Sequence, residues 1–208
     1  MNPKRMVADG YDRIADGLLL CQRSDAPVGA KQRYLERLTG GLPDGGRVLD
    51  LGCGPGRQAA WLSERFRVVG VDISITQLAL AGRAAPAASF LLADMSSLQF
   101  RPASFDAIAA MYSIIHVPRD EHARLLRDLY LFLKHGGRLF AVLGANDWQG
   151  TERDWLGFGT EMYWSHFDAE AGLDLVRAAG FTVEQSSIEP DTLIGEGAHL
   201  FVLAEKPA

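Results

Sequence analysis

The sequence predicts an α/β fold: a seven-stranded, largely parallel sheet with helices on both faces and an antiparallel last strand. Three observations carry this prediction. Short apolar runs alternate with helix-period segments from residue 47 onward, a glycine-rich turn follows the first run, and no helix fits between the last two strands. Alternation of strand and helix implies right-handed crossovers and a parallel sheet covered on both sides.

Residues 1–45 precede the alternating region and form a helical cap, with helices around Val7–Leu20 and Lys31–Thr39. Within the first, Leu18, Leu19 and Leu20 are expected to be core rather than a membrane patch. Residues 46–208 form the core domain. Its first five strands are Arg47–Leu51, Arg67–Val71, Ser89–Ala93, Asp106–Met111 and Arg138–Leu143. Helices fall over Gln58–Arg65, Ile75–Arg83 and Asp120–Lys134, the last with Leu125, Leu126, Leu129, Phe132 and Leu133 at helical spacing. "KHGG" at 134–137 gives that helix a basic final turn and a glycine stop. Residues 144–167 form an irregular insertion. Asp168 then caps a helix through Ala179, Gly180 ends it, and strands Phe181–Ile188 and Ala198–Ala204 pair antiparallel.

Composition narrows the functional classes. The chain of 208 residues is about one domain, with 26 acidic against 21 basic side chains and a net charge of −5. No Lys/Arg run exceeds a pair, which disfavours a phosphate-tracking nucleic-acid surface. The two cysteines, Cys21 and Cys53, make no CxxC or Cys/His cluster, so neither a disulfide framework nor a metal is implied. With no apolar signal core and no stretch of ~18 apolar residues, a cytoplasmic, membrane-free protein is expected.

"VLDLGCGPG" at 48–56 is the most informative stretch. A glycine turn after a first strand is where an α/β sheet binds nucleotides. The dinucleotide fingerprint would need Gly or Ala at its last position, where this chain has Arg57. An acid, Asp50, precedes the turn; beside a pyrophosphate it is unhelpful, beside a cationic amino acid moiety it is useful. Asp72 and Asp94 end the second and third strands, so three successive strands finish in an acid at their ligand-binding edge. A matching ligand carries an ammonium or sulfonium, a ribose diol and an exocyclic amine, and no phosphate. S-adenosylmethionine has each of these.

At these positions the sequence resembles the class I S-adenosylmethionine-dependent methyltransferases of the small-molecule type. The resemblance runs from Arg47 to the C-terminus, on "VLDLGCGPG", "VVGVDIS" (68–74), "LLADM" (91–95), "FDAIAAMYSIIHVPRD" (105–120) and "LKHGGRLF" (133–140). It implies a Rossmann-like seven-stranded sheet with the last strand inserted antiparallel, and S-adenosylmethionine as cofactor. By the same resemblance, Gly52, Cys53 and Gly54 line the methionine portion, Asp72 binds ribose, Ile73 packs on adenine, and Asp50 and Gly56 belong to the cofactor-binding set. Asp94 and the Met95 amide read the adenine edge, and Gln77 and Met111 complete the cofactor shell. "GYDRIADGL" at 10–18 resembles the cap helix of such enzymes, in which Tyr11 closes over the cofactor.

The methyl acceptor leaves fewer marks. Transfer to a hydroxyl needs a base, and His116, His166 and His199 are the candidates; His122 and His135 are expected to be solvated. Cys53 is expected to be a buried space-filler. The insertion carries Trp148, Trp155, Phe158, Tyr163, Trp164 and Phe167 between Gly144 and Phe167. Such rings suit a wall over an apolar or aromatic acceptor, with Tyr112, Tyr163, Trp164 and Phe167 as substrate contacts and Trp148 and Trp155 nearer the surface. Packing against the body or a homodimer contact is the other use for these rings. The aromatic stretch of base-methylating enzymes, the paired glutamates of arginine methyltransferases and a first metal ligand after strand four are missing; Ala110-Met111-Tyr112-Ser113 stands there. Metal-independent O-methylation of a small metabolite is the leading expectation. A non-catalytic cofactor-binding module, a nicotinamide-dependent oxidoreductase and methylation of a protein or RNA remain as alternatives.

Overall fold

The computed structural model describes residues 2–21, 29–191 and 197–208, with the side chains of 19–21 excluded; Leu19 and Leu20 therefore lie outside the described side chains. Two helices, α1 (Pro3–Cys21) and α2 (Ala30–Thr39), precede the core. The core runs β1 (Arg47–Leu51), α3 (Arg57–Ser63), β2 (Arg67–Asp72), α4 (Ile75–Ala84), β3 (Ser89–Leu92), β4 (Phe105–Ala110), α5 (Arg119–Phe132) and β5 (Leu133–Gly144). Then come β6 (Trp148–Glu152), β7 (Met162–His166), α6 (Ala169–Ala178), β8 (Thr182–Pro190) and β9 (Ala198–Glu205).

The main sheet has the order β3-β2-β1-β4-β5-β9-β8, with β9 antiparallel to both neighbours and the other pairs parallel, as the sequence predicts. Successive residues of the central strands serve opposite faces. Leu49, Ile108, Leu139 and Val202 pack with α5 and α6 on one side; Val48, Ala107, Phe140 and Leu203 pack with α2 and α3 on the other. Burial on both faces explains why these strands read as apolar runs with no alternation. The order reverses between β1 and β4, which opens the crevice at their carboxyl ends.

Three local expectations are corrected. The insertion is not irregular: β6 and β7 form an antiparallel hairpin, Trp148 opposite His166 and Glu152 opposite Met162. Helix α5 stops at Phe132, so Lys134 and His135 do not form its last turn. They lie in a bulge between Leu133, paired with Phe105, and Arg138, paired with Ala107, with Gly136 at φ 72°. His122 is buried, not solvated, and its Nε2 bonds the Val117 carbonyl at 2.8 Å.

Helix α1 packs in a cluster of its own, apart from α2, which lies on the sheet. Val7, Ile14 and Leu18, spaced to share one face of α1, pack with Trp155, Met162 and Tyr163 of the hairpin region. Two polar contacts fix α1 to the sheet edge. Asp12 accepts from Ser74 Oγ at 2.5 Å and from the Thr76 amide at 3.0 Å, and Lys4 Nζ lies 2.7 Å from both Asp94 and Glu121.

Candidate active site

A cavity of about 260 Å³ lies over the carboxyl ends of β1, β2 and β4, under α1 and the hairpin. The three glycines of the turn between β1 and α3 solve different problems there. All have positive φ, which glycine adopts without strain. A Cβ on Gly52 would stand 2.2 Å from Ser113 Cβ, and one on Gly56 2.7 Å from the Ala81 backbone of α4. A Cβ on Gly54 would meet nothing within 4 Å among the described residues. Gly54 faces the cavity, while Gly56 is absent from its wall and serves helix packing.

The acids behind the turn differ in electrostatic state. Asp50 is 2 % exposed, and one of its carboxylate oxygens has no hydrogen-bond partner among the described residues. Burial, with repulsion from Asp72 added, pushes its carboxyl up to about 7. Asp72 accepts from the Gly54 amide at 2.8 Å and the Ser74 amide at 2.9 Å. Burial raises its carboxyl as well, against the pull of those amides. Asp94 caps the turn Met95–Ser97 through the Ser96 amide; burial would raise it, but Lys4 and Ser96 outweigh that and hold it low. Burial and the two acids push the Cys53 thiol well above its ordinary range, so it is no thiolate nucleophile.

Tyr11, Asp50, Gly52, Cys53, Gly54, Asp72, Ile73, Gln77, Asp94, Met95 and Met111 all line the cavity, as do Tyr112, Trp164, His116 and His199. Tyr163, Phe167 and His166 do not. His166 Nδ1 bonds the Asn146 carbonyl at 2.7 Å, Phe167 packs against Arg119 and His122, and the Tyr163 hydroxyl accepts from Gln149. Trp148 is exposed, but Trp155 is 4 % exposed and lines the cavity, which corrects its surface placement.

Lys4, Lys31, Arg57 and Asp191 are wall residues that sequence patterning missed. Arg57 was visible only as the residue that breaks the dinucleotide fingerprint. Lys4 reaches Asp94 across 90 positions, which no local signal encodes. Lys31 stands 4.6 Å over the Tyr112 ring; burial and Arg57 lower its ammonium, while Asp191 opposes them.

The two histidines in the wall occupy different settings. His199 Nε2 pairs with Asp191 at 2.7 Å, and its ring meets Tyr112 edge-on. His116 is buried, with Nδ1 2.7 Å from the Tyr163 carbonyl and Nε2 2.8 Å from the Tyr11 hydroxyl. A carbonyl can only accept, so Nδ1 carries the proton and Nε2 accepts from Tyr11. Burial, against the Tyr163 carbonyl, lowers this imidazole to about 4 and keeps it neutral. Trp164 covers its ring at 4.3 Å, and Trp155 meets both Trp164 and Tyr11 edge-on.

Residues 48–137 match the family model described as a methyltransferase domain. Over those residues the chain is similar to a methyltransferase domain. Among named relatives, a trans-aconitate 2-methyltransferase from Variovorax paradoxus is 35 % identical over 127 residues, 60 % of this chain and 48 % of the relative. A 27-O-demethylrifamycin SV methyltransferase from Amycolatopsis mediterranei is 36 % identical over 154 residues, 64 % of this chain and 56 % of the relative. The chain thus spans about half the length of these relatives. A solved SAM-dependent methyltransferase from Methanosarcina mazei shares the fold, with a TM-score of 0.72 and 23 % identity over 88 % of this chain and 98 % of that one.

The site fits S-adenosylmethionine on internal grounds too. Besides the unpartnered oxygen of Asp50, both amide atoms of Gln77 are buried and without partners among the described residues. Orphaned buried polar groups in a cavity wall are costly unless a ligand meets them. Asp50 would take the cationic amino group, Asp72 the ribose diol, and Asp94 with the Met95 amide the adenine edge.

Proposed function

We propose that the domain transfers the methyl group of S-adenosylmethionine to an oxygen of a small, apolar or aromatic acceptor, without a metal. One observation carries this. The cavity that holds the acid row is also lined by Tyr11, His116, Trp155 and Trp164, whose rings meet one another beneath α1 and the hairpin. Bound cofactor supplies a methyl carbon already activated by positive sulfur, so positioning supports much of the rate. Asp50 and Asp72 hold the cofactor's amino acid and ribose ends, the aromatic rings hold the acceptor, and α1 with the hairpin excludes water. The name of the Amycolatopsis relative specifies an oxygen acceptor, which supports the choice of atom.

His116 is the base candidate that the cavity favours, because it borders the aromatic rings; His199 lies with Lys31 and Tyr112. The test is methyl transfer from isotopically labelled S-adenosylmethionine to a panel of phenols, 1-naphthol and 4-nitrophenol among them, read by mass spectrometry. Methyl ethers are expected from at least one. Binding of S-adenosylhomocysteine with no product from any phenol would rule out the acceptor class and leave the cofactor assignment standing.

A further inference from the structure

We infer that the Tyr11 hydroxyl is the group that meets the acceptor's oxygen, and that it passes the acceptor's proton to His116 behind it. The inference rests on the proposed transfer to oxygen and adds a catalytic residue to it. His116 cannot itself reach an acceptor. Its Nδ1 proton is committed to the Tyr163 carbonyl, its Nε2 lone pair to the Tyr11 hydroxyl, and its ring face to Trp164. The one open link in that chain is Tyr11. Its hydroxyl spends its proton on Nε2 and retains a lone pair, and Tyr11 lines the cavity. An acceptor hydroxyl donating to Tyr11 Oη completes a continuous path from acceptor to Tyr11 to His116.

The balance closes. As the acceptor oxygen forms its bond to the methyl carbon, the carbon–sulfur bond breaks and its electron pair returns to sulfur. The oxygen's proton moves to Tyr11 Oη while the tyrosine's own proton moves to His116 Nε2, so Tyr11 ends neutral and His116 cationic. One positive charge is lost at sulfur and one gained at the imidazole, so the site's net charge is unchanged. Burial and the field of Asp72 keep the Tyr11 hydroxyl protonated, which suits a conduit and not a phenolate base. His116 is a weak base at about 4. That suffices, because the proton leaves an oxygen already bonded to carbon, which is strongly acidic.

Three measurements test this: nitrogen-15 NMR of the His116 imidazole, titration with S-adenosylhomocysteine, and turnover on the phenol panel. In the S-adenosylhomocysteine complex at pH 7, His116 is expected to be neutral, with Nδ1 protonated and Nε2 bare, and Tyr11→Phe shifts only the Nε2 resonance substantially. Tyr11→Phe and His116→Gln each lower kcat about a hundredfold while affinity for S-adenosylhomocysteine stays within about threefold. The double variant falls no further than the worse single one, because residues acting as a unit are not additive. A wild-type kcat profile flat from pH 5 to 8 is also expected, since His116 is neutral throughout that range. A proton on Nε2, or full turnover by Tyr11→Phe, overturns the relay and leaves the methyltransferase proposal intact. No binding of S-adenosylhomocysteine by the wild type overturns the proposal beneath it.

Discussion

Asp50 is a buried carboxyl held at about 7 against an ordinary 3.8, and its proton is therefore linked to folding. Between those values the folded chain keeps a proton that the unfolded chain has lost. The stability this group contributes is complete below about pH 4 and is lost as pH rises through 7, up to about 4 kcal/mol for a shift of this size. His116 has the opposite sign: lowered to about 4 from 6.5, its contribution grows as pH rises across that window. In Asp50→Asn only the first term is removed. The stability of Asp50→Asn relative to wild type, both without cofactor, is thus expected to rise from pH 4 to 7 in thermal unfolding; a constant difference would contradict the buried, protonated state of Asp50. Asp72→Ala should weaken S-adenosylhomocysteine binding by about 1–3 kcal/mol, the cost of leaving a ribose diol unpaired, and unchanged affinity in a folded variant would remove Asp72 from the ribose site. At this scale the acid row was legible, because the ends of successive parallel strands share one edge. Lys4 and Trp155 were not: their placement depends on how α1 and the hairpin dock, which is a tertiary fact.

Among the elements, the turn between β1 and α3 is the most constrained. Gly56 combines φ of 83° with a backbone neighbour in α4 that a Cβ would strike at 2.7 Å. Gly56→Ala should destabilise the domain by roughly 1–3 kcal/mol or more through strain and displaced packing, measured by chemical unfolding; a loss below the measurement error would mean that α3 and α4 part freely. Most helices were legible from periodicity, and their observed ends fall within a few residues of expectation. The β6–β7 hairpin was not. "WQGTE" has no apolar alternation, and its partner "MYWSH" opens on three successive apolar residues, Met162, Tyr163 and Trp164, that all join the cluster around α1. The end of α5 was missed for a related reason: "KHGG" reads as a helix stop, whereas Leu133 already pairs with Phe105 and the following residues bulge.

For the molecule as a whole, the sheet places chemistry where its order reverses, and the chain's N-terminal helix and late hairpin close over that point. Topology was legible because strand–helix alternation leaves few allowed connections, and the antiparallel β8–β9 pair because no helix separates them. The acceptor site was less legible, since the rings that we propose hold the acceptor come together from α1, the loop after β4 and the hairpin region. The central claim is that the glycine turn and the acid row hold S-adenosylmethionine. Its most direct test is calorimetric titration of the chain with S-adenosylhomocysteine, with NADH as control. Micromolar binding of S-adenosylhomocysteine and none of NADH is the predicted result; binding of NADH in its place would contradict the account.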